Sequence, residues 1–249
     1  MNSINFYEWL GGLIDANGEF IVSNTSLDIS LEDSANTKAG CGSIEIIMHS
    51  NEIQTLYKIK SICHGQVSHR KRVNAVRWRL HKRDSLIKVL NNLSGNIRVK
   101  KRQIQYQKIS QLYNIEYKNP KNLTYHNAWF SGFFSGKGWL YINNNNFMAT
   151  LLVSQKEKTI LESIQSIFKG NIYFDKSFNQ SWVWQCNDFD CEYILEYLDQ
   201  YLLYNPYKQA KIRGFKRFLF FKKNNYHLDT LKKKRLIHYI KLLNKIVLH

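Results

Sequence analysis

Trp9-Leu10-Gly11-Gly12-Leu13-Ile14-Asp15-Ala16-Asn17-Gly18-Glu19-Phe20 is a stretch that this chain writes twice. It returns at mid-chain as Trp129-Phe130-Ser131-Gly132-Phe133-Phe134-Ser135-Gly136-Lys137-Gly138-Trp139-Leu140. In each copy small residues recur at spacing four: Gly11 with Asp15 and Gly12 with Ala16, then Ser131 with Ser135 and Gly132 with Gly136. Residues four apart share a helix face, and a face of small side chains lets two backbones approach closely. The pattern predicts two helices, residues ~8–17 and ~128–137, packed against each other through those eight positions. Each helix is expected to stop at a glycine, Gly18 or Gly138, the residue that ends helices at least cost. An alternating apolar run follows each stop (Phe20, Val22; Leu140, Ile142), so each helix feeds a strand.

The repeat extends beyond the motif. Ile62-Cys63-His64-Gly65-Gln66-Val67 pairs with Ile167-Phe168-Lys169-Gly170-Asn171-Ile172. Val76-Arg77-Trp78-Arg79-Leu80, ending at Asp84, aligns with Gln180-Ser181-Trp182-Val183-Trp184, ending at Asp188. Amphipathic helical runs precede each glycine and follow each Asp, and a further helix closes each half, Val99 to Tyr113 and Tyr207 to Phe221. The expected architecture is α+β, a tandem repeat of αββαββα units: residues 1–118, residues 119–221, and a basic helical tail, 222–249. The insert Thr25 to Gly42 reads as a loop. The tail holds eight basic residues against Asp229 alone, with Leu236, Ile240, Leu243 and Val247 at helical spacing.

The first motif copy, Leu10 to Gly18, resembles the signature of the LAGLIDADG homing endonucleases, and Phe130 to Gly138 is a degenerate match. The resemblance implies that the two motif helices pack at a pseudo-twofold axis and that two curved antiparallel sheets form a saddle over duplex DNA. It also implies an acid at the eighth motif position of each copy, holding divalent metal at the scissile phosphates. Those positions are Asn17 and Lys137. Hard cations need anionic oxygen to give up their water. The expectation is therefore no catalytic residue and no metal or other cofactor. Glu19, next door, is the acid that could stand in for a missing one, although a single acid would not build a two-metal site, and Mg²⁺ enters only with the alternative of a cutting or nicking endonuclease. Asp15 reads as a cap or interface group.

Composition points to a polyanion partner. Lys and Arg number 36 against 19 Asp and Glu, a net charge of +17, and 44% of residues are apolar. Such a surface suits nucleic acid. No run reaches the ~18 apolar residues of a membrane span. No Walker loop, HExxH or zinc-spaced Cys/His cluster is present. Four cysteines without CxxC spacing fit a reducing compartment, and no leader is legible at the start. Codon-bias residues such as Asn, Lys and Ile, together with that absence, lead to the expectation of an organelle-encoded, mitochondrial monomer.

Strand alternation assigns the binding face. In the first half Val76, Trp78 and Leu80 take the core side, leaving Arg77, Arg79 and His81 outward with Gln66, Ser68, Arg70 and Arg72. Residues 66–108 hold thirteen Lys or Arg against Asp84 alone. In the second half Ile172 and Phe174 point inward with Trp182, Trp184 and Cys186. Tyr173, Asp175, Ser181, Val183 and Gln185 point out, with Trp139 and Tyr141 on the first strand. The nucleic-acid contacts expected are Arg70, Arg72, Arg77, Arg79, His81, Lys100, Lys101, Arg102, Trp139, Tyr141, Tyr173, Lys232, Lys233, Lys234 and Arg235. An arginine face opposite an aromatic one favours structured RNA over duplex DNA. The expected role is an intron maturase or a ribonucleoprotein component bound to ribosomal RNA and ribosomal proteins.

Overall fold

A computed structural model describes residues 3–23, 41–177 and 180–246. The chain divides into two compact units, Met1–Asn122 and Leu123–His249. In the first unit α1 (Ser3–Asn17) runs directly into β1 (Gly18–Ser23) and β2 (Cys41–His49). Then come α2 (Ile53–Cys63), β3 (Gln66–His69), β4 (Ala75–Leu80), α3 (Arg83–Leu93) and α4 (Lys100–Leu112). The second unit repeats the series as α5 (Trp129–Lys137), β5 (Gly138–Ile142), β6 (Ala149–Gln155), α6 (Lys158–Phe168), β7 (Asn171–Asp175), β8 (Ser181–Asn187), α7 (Asp190–Gln200) and α8 (Pro206–Lys223). A last helix, α9 (Thr230–Asn244), follows. The sheets are antiparallel with equivalent orders, β1-β2-β4-β3 and β5-β6-β8-β7. The α+β repeat of αββαββα units is thus the observed fold. Most of the insert expected as a loop, residues 24–40, and Val247 lie outside the described residues; Cys41 and Gly42 already belong to β2.

Period-two burial builds each core. Phe20, Ile44, Ile46, Met48, Val76, Trp78 and Leu80 are buried on one side of the first sheet. At its rim, Gly65 lets a helix end meet the sheet. Its φ is +84°, and a Cβ there would stand 2.6 Å from the Arg79 carbonyl oxygen and 2.8 Å from Trp78 Nε1. Trp78 Nε1 donates to the carbonyl of His64 at 2.7 Å. Gly170 repeats this at φ +82°, 2.6 Å from the Gln185 oxygen and 2.9 Å from Trp184 Nε1, and Trp184 donates to Lys169.

That lock corrects the internal alignment. Trp78 corresponds to Trp184, not Trp182, because only those two indoles sit on the glycine; Arg77 therefore corresponds to Val183 and Arg79 to Gln185. The Trp-Val-Trp run offers two matches by sequence, and the aspartates mislead. Asp84 opens α3, whereas Asp188 is a turn residue at φ +49° that accepts from Ala149 N–H at 3.1 Å and Lys222 Nζ at 2.6 Å.

The small-residue face of the motif helices also resolves. Gly11, Asp15, Ser131 and Ser135, expected at the contact between the motif helices, have partners in the connection between the two helices that follow the sheet of their own unit, α3 to α4 or α7 to α8. A Cβ on Gly11 would lie 2.7 Å from the Asn96 carbonyl oxygen. Asp15 accepts from the Arg98 and Val99 N–H groups at 2.7 and 3.2 Å, holding the two residues that lead into α4. In the second unit Ser131 and Ser135 hydroxyls donate to the Tyr201 and Leu203 carbonyls at 2.6 and 3.0 Å. A helix carries two such spacing-four stripes side by side, and these four residues make the one turned toward α4 and α8. Gly12, Ala16 and Gly132 of the other stripe are buried. Gly11→Ala should destabilise the chain by ~1–3 kcal/mol through overpacking against rigid backbone; a chemical denaturation curve superposing on the wild type would contradict this contact.

The tail is ordered by three contacts. A Cβ on Gly214 of α8 would stand 2.3 Å from a Leu243 methyl. Tyr239 Oη donates to the Gly214 carbonyl at 2.9 Å. The Asn244 side chain accepts from Ile142 N–H at 3.3 Å and donates to Ile142 C=O at 2.8 Å, so α9 covers the edge strand β5. Cys63, Cys186 and Cys191 are buried and Cys41 is exposed. Burial pushes the Cys63 thiol up to about 12.

Candidate nucleic-acid interface

The face of each sheet turned away from its core can be read row by row from the register. On the first sheet one row is Glu19, Glu45, Arg79, Gln66 and the next is Ile47, Arg77, Ser68. Glu45 is buried between the two arginines. Arg77 Nη1 donates to its Oε2 at 3.5 Å, and Arg79 Nε lies 3.1 Å from Oε1 in ion-pair contact without the alignment of a hydrogen bond. The arginines keep 37% and 40% of their side chains exposed, against 8% for Glu45. The carboxylate thus fixes two guanidinium groups that stay partly exposed on this face. Sequence alone does not single out Glu45, although its alternation with Ile44, Ile46 and Met48 is the signal that places it there.

Arg70 and Arg72 are corrected in position. β3 ends at His69, so both sit in the β3–β4 turn, exposed, with Arg72 at φ +65°. The turn is closed by the Arg70 N–H donating to Ala75 C=O at 2.9 Å, which pairs the strands one residue short of Arg70. His81 follows β4 and is exposed; Lys100, Lys101 and Arg102 open α4, with Arg102 Nη1 donating to Gln105 at 2.9 Å.

On the second sheet the rows are Trp139, Leu152, Gln185, Asn171; then Tyr141, Thr150, Asn187; then Ser154, Val183, Tyr173. Trp139, Tyr141 and Tyr173 are 41%, 49% and 42% exposed, and the Tyr173 hydroxyl donates to Gln185 Oε1 at 3.0 Å. Ser181 and Val183 do take this face but are buried; Val183 lies between Ser154 of β6 and Tyr173 of β7, and Ser181 opens β8 opposite Asp175. Phe174, expected in the core, is 44% exposed on the edge strand β7, its ring edge-on to Trp182 at 5.2 Å. Lys232, Lys233, Lys234 and Arg235 are exposed in the first turns of α9, which Asp229 caps. Lys233 Nζ lies 5.6 Å from the Phe147 ring in the β5–β6 turn.

Asn17 and Lys137 are the last residues of α1 and α5. Glu19, two residues on, stands directly opposite Glu45. The end of α5 also carries Lys208, a buried lysine of α8 that sequence reading passes over. Its Nζ donates to the carbonyls of Phe134, at 3.4 Å, and Ser135. A cation is favoured at a helix C-terminus, where the backbone dipole leaves negative charge. Neither motif end, taken by itself, fits a divalent ion: the end of α1 offers the Asn17 amide, and the end of α5 carries Lys137 and the Lys208 ammonium. Among the described residues no group of three or more His, Cys, Asp and Glu stands together as a metal site.

A sheet-bearing unit written twice, each copy entered through a glycine-ended helix, defines the class: the chain belongs to the LAGLIDADG endonuclease family, which it matches over residues 10–113 and 130–219. Similar proteins include the intron-encoded RNA maturase bI4 of Saccharomyces cerevisiae, 33% identical over 235 residues, 92% of this chain and 34% of that protein. A probable intron-encoded endonuclease aI2 of Debaryomyces hansenii is 28% identical over 84% of this chain and 32% of its own length. The chain thus spans about a third of these two relatives. Among solved structures, the I-LtrWI homing endonuclease bound to target DNA superposes with a TM-score of 0.73 at 18% identity, covering 99% of this chain and 100% of its own. The meganuclease I-AabMI bound to uncleaved DNA gives 0.75 at 16%, covering 98% and 99%. At these identities the likeness is one of fold.

Proposed function

We propose that this chain is a maturase-type, RNA-binding member of its family that no longer cleaves DNA and that helps an intron RNA reach its folded form. The observation that carries this is the end of α5, where the resemblance implies a metal-binding acid. Lys137 stands there instead, and Lys208 places a second, buried ammonium on the carbonyls of the same helix end. Two cations compete with a metal ion for the same negative charge, and Asn17 in the other motif supplies only a neutral oxygen. Similarity to an RNA maturase over 92% of the chain supports the choice of RNA. The intron-encoded relatives support an organellar, mitochondrial setting. Ribosomal RNA and ribosomal proteins, the other expected partners, form no part of this reading.

The purified protein should leave duplex DNA spanning the intron insertion site uncut in Mg²⁺ or Mn²⁺. It should bind the intron transcript more tightly than that duplex at matched salt. Metal-dependent cleavage that disappears in Glu19→Gln would make the endonuclease reading the correct one.

A further inference from the structure

The outward face of the second sheet has a composition that a phosphate-binding surface does not. Its rows carry three exposed rings, Trp139, Tyr141 and Tyr173, and the amides of Asn171, Gln185 and Asn187. No lysine or arginine occupies an outward strand position, and the single charge is Asp175, whose Oδ1 accepts from Ser177 N–H and Oγ–H at 2.8 and 2.6 Å. A double helix presents phosphates outermost and hides the faces of its bases, so it offers the three rings nothing to stack on and leaves only base edges in its grooves for the amides. An unpaired nucleotide presents a flat ring and a hydrogen-bonding edge, which exposed aromatics and amides accommodate.

Cations stand at the margin instead. Lys156 and Lys176 are exposed just beyond the ends of β6 and β7. On the β5 side, Asn244 ties α9 to the edge strand, and the basic start of α9 lies at the β5–β6 turn through Lys233 and Phe147. Positive charge at the rim with neutral stacking surface inside complements a single strand whose phosphates run along the edge and whose bases turn inward.

We infer that this face is a stacking platform for unpaired RNA nucleotides, with Trp139, Tyr141 and Tyr173 as its rings and Lys232–Arg235 of α9 as its phosphate contacts. This rests on the RNA-binding reading and adds the class of RNA element that the second unit takes. Duplex contact falls to the first sheet.

The test uses the full chain, a 12-nucleotide oligoadenylate RNA, a 12-base-pair RNA duplex and the intron transcript, at matched salt. Oligoadenylate should quench the tryptophan emission through Trp139, the exposed indole on this face; Trp182 is half-buried in a row of the other face, and Trp9, Trp78, Trp129 and Trp184 are fully buried. Trp139→Leu and Tyr173→Leu should each weaken oligoadenylate binding roughly tenfold and leave the RNA duplex unchanged. Trp139→Phe keeps a ring, so it should keep the affinity and lose the quench, which also shows that the fold is intact. Oligoadenylate affinities unchanged in both leucine variants, with the intron transcript still bound, overturn the platform alone. Ring-dependent binding of oligoadenylate by a protein that prefers duplex DNA to the intron transcript upholds the platform and overturns the maturase reading.

Discussion

Alanine at both Arg77 and Arg79 will weaken binding of structured RNA by about a hundredfold or more. Hydrogen bonds from charged groups are each worth roughly 1.5–3 kcal/mol, and tenfold in affinity is about 1.4 kcal/mol. The slope of log affinity against log salt should fall by nearly two, about one for each phosphate contact removed. The same change has a second consequence. It strips the buried Glu45 carboxylate of both its partners, and an uncompensated buried charge costs ~3–5 kcal/mol. The double variant will therefore melt earlier as well as bind weakly. Adding Glu45→Gln separates the effects: the triple variant should regain most of the stability and none of the affinity. Wild-type binding by the triple variant, measured by anisotropy across a salt series, would remove the first sheet from the interface. The corresponding positions of the second unit, Val183→Ala and Gln185→Ala, should leave the salt slope unchanged, because neither carries charge.

Large stability losses are expected from the single changes Gly65→Ala and Gly170→Ala. Each glycine has a left-handed φ, +84° and +82°, which costs an L-residue ~1–2 kcal/mol. Each Cβ would also press on a carbonyl oxygen of the adjacent strand and on an indole nitrogen, an overpacking of ~1–3 kcal/mol. Together ~2–5 kcal/mol should be lost at either site, lowering the melting temperature on the order of 10 °C. The lesion is the same in both units, so the two losses should be of similar size. A melting curve unmoved by either change would contradict the helix–sheet lock built on Trp78 and Trp184.

Legibility in the sequence follows the range of the interactions. Helix ends at Gly18 and Gly138, the period-two strands and the αββαββα order are written in residues a few positions apart, and they are what the structure shows. The face taken by Arg77 and Arg79 is likewise local, since alternation alone sets it. The correspondence between the two β-strands that carry Trp78 and Trp184 is set at longer range. Trp182 and Trp184 are equivalent by pattern, and only the indole hydrogen bond to the residue before Gly170 distinguishes them. Burial of Val183 involves neighbours on two other strands, Ser154 and Tyr173, which no property of β8 announces.

The sequence by itself determined the repeat, the order of its elements and the absence of an acid at the eighth position of both motifs, because spacing and residue identity are properties of the chain. Tertiary structure alone decided which charges work together. Glu45 meets Arg77 and Arg79 only through the register of β2 with β4. Lys208 reaches the end of α5 across 73 residues, and Asn244 finds the edge of β5 across 102. Charge and hydrogen-bond complementarity act through space, so their partners appear only once packing has brought distant segments together.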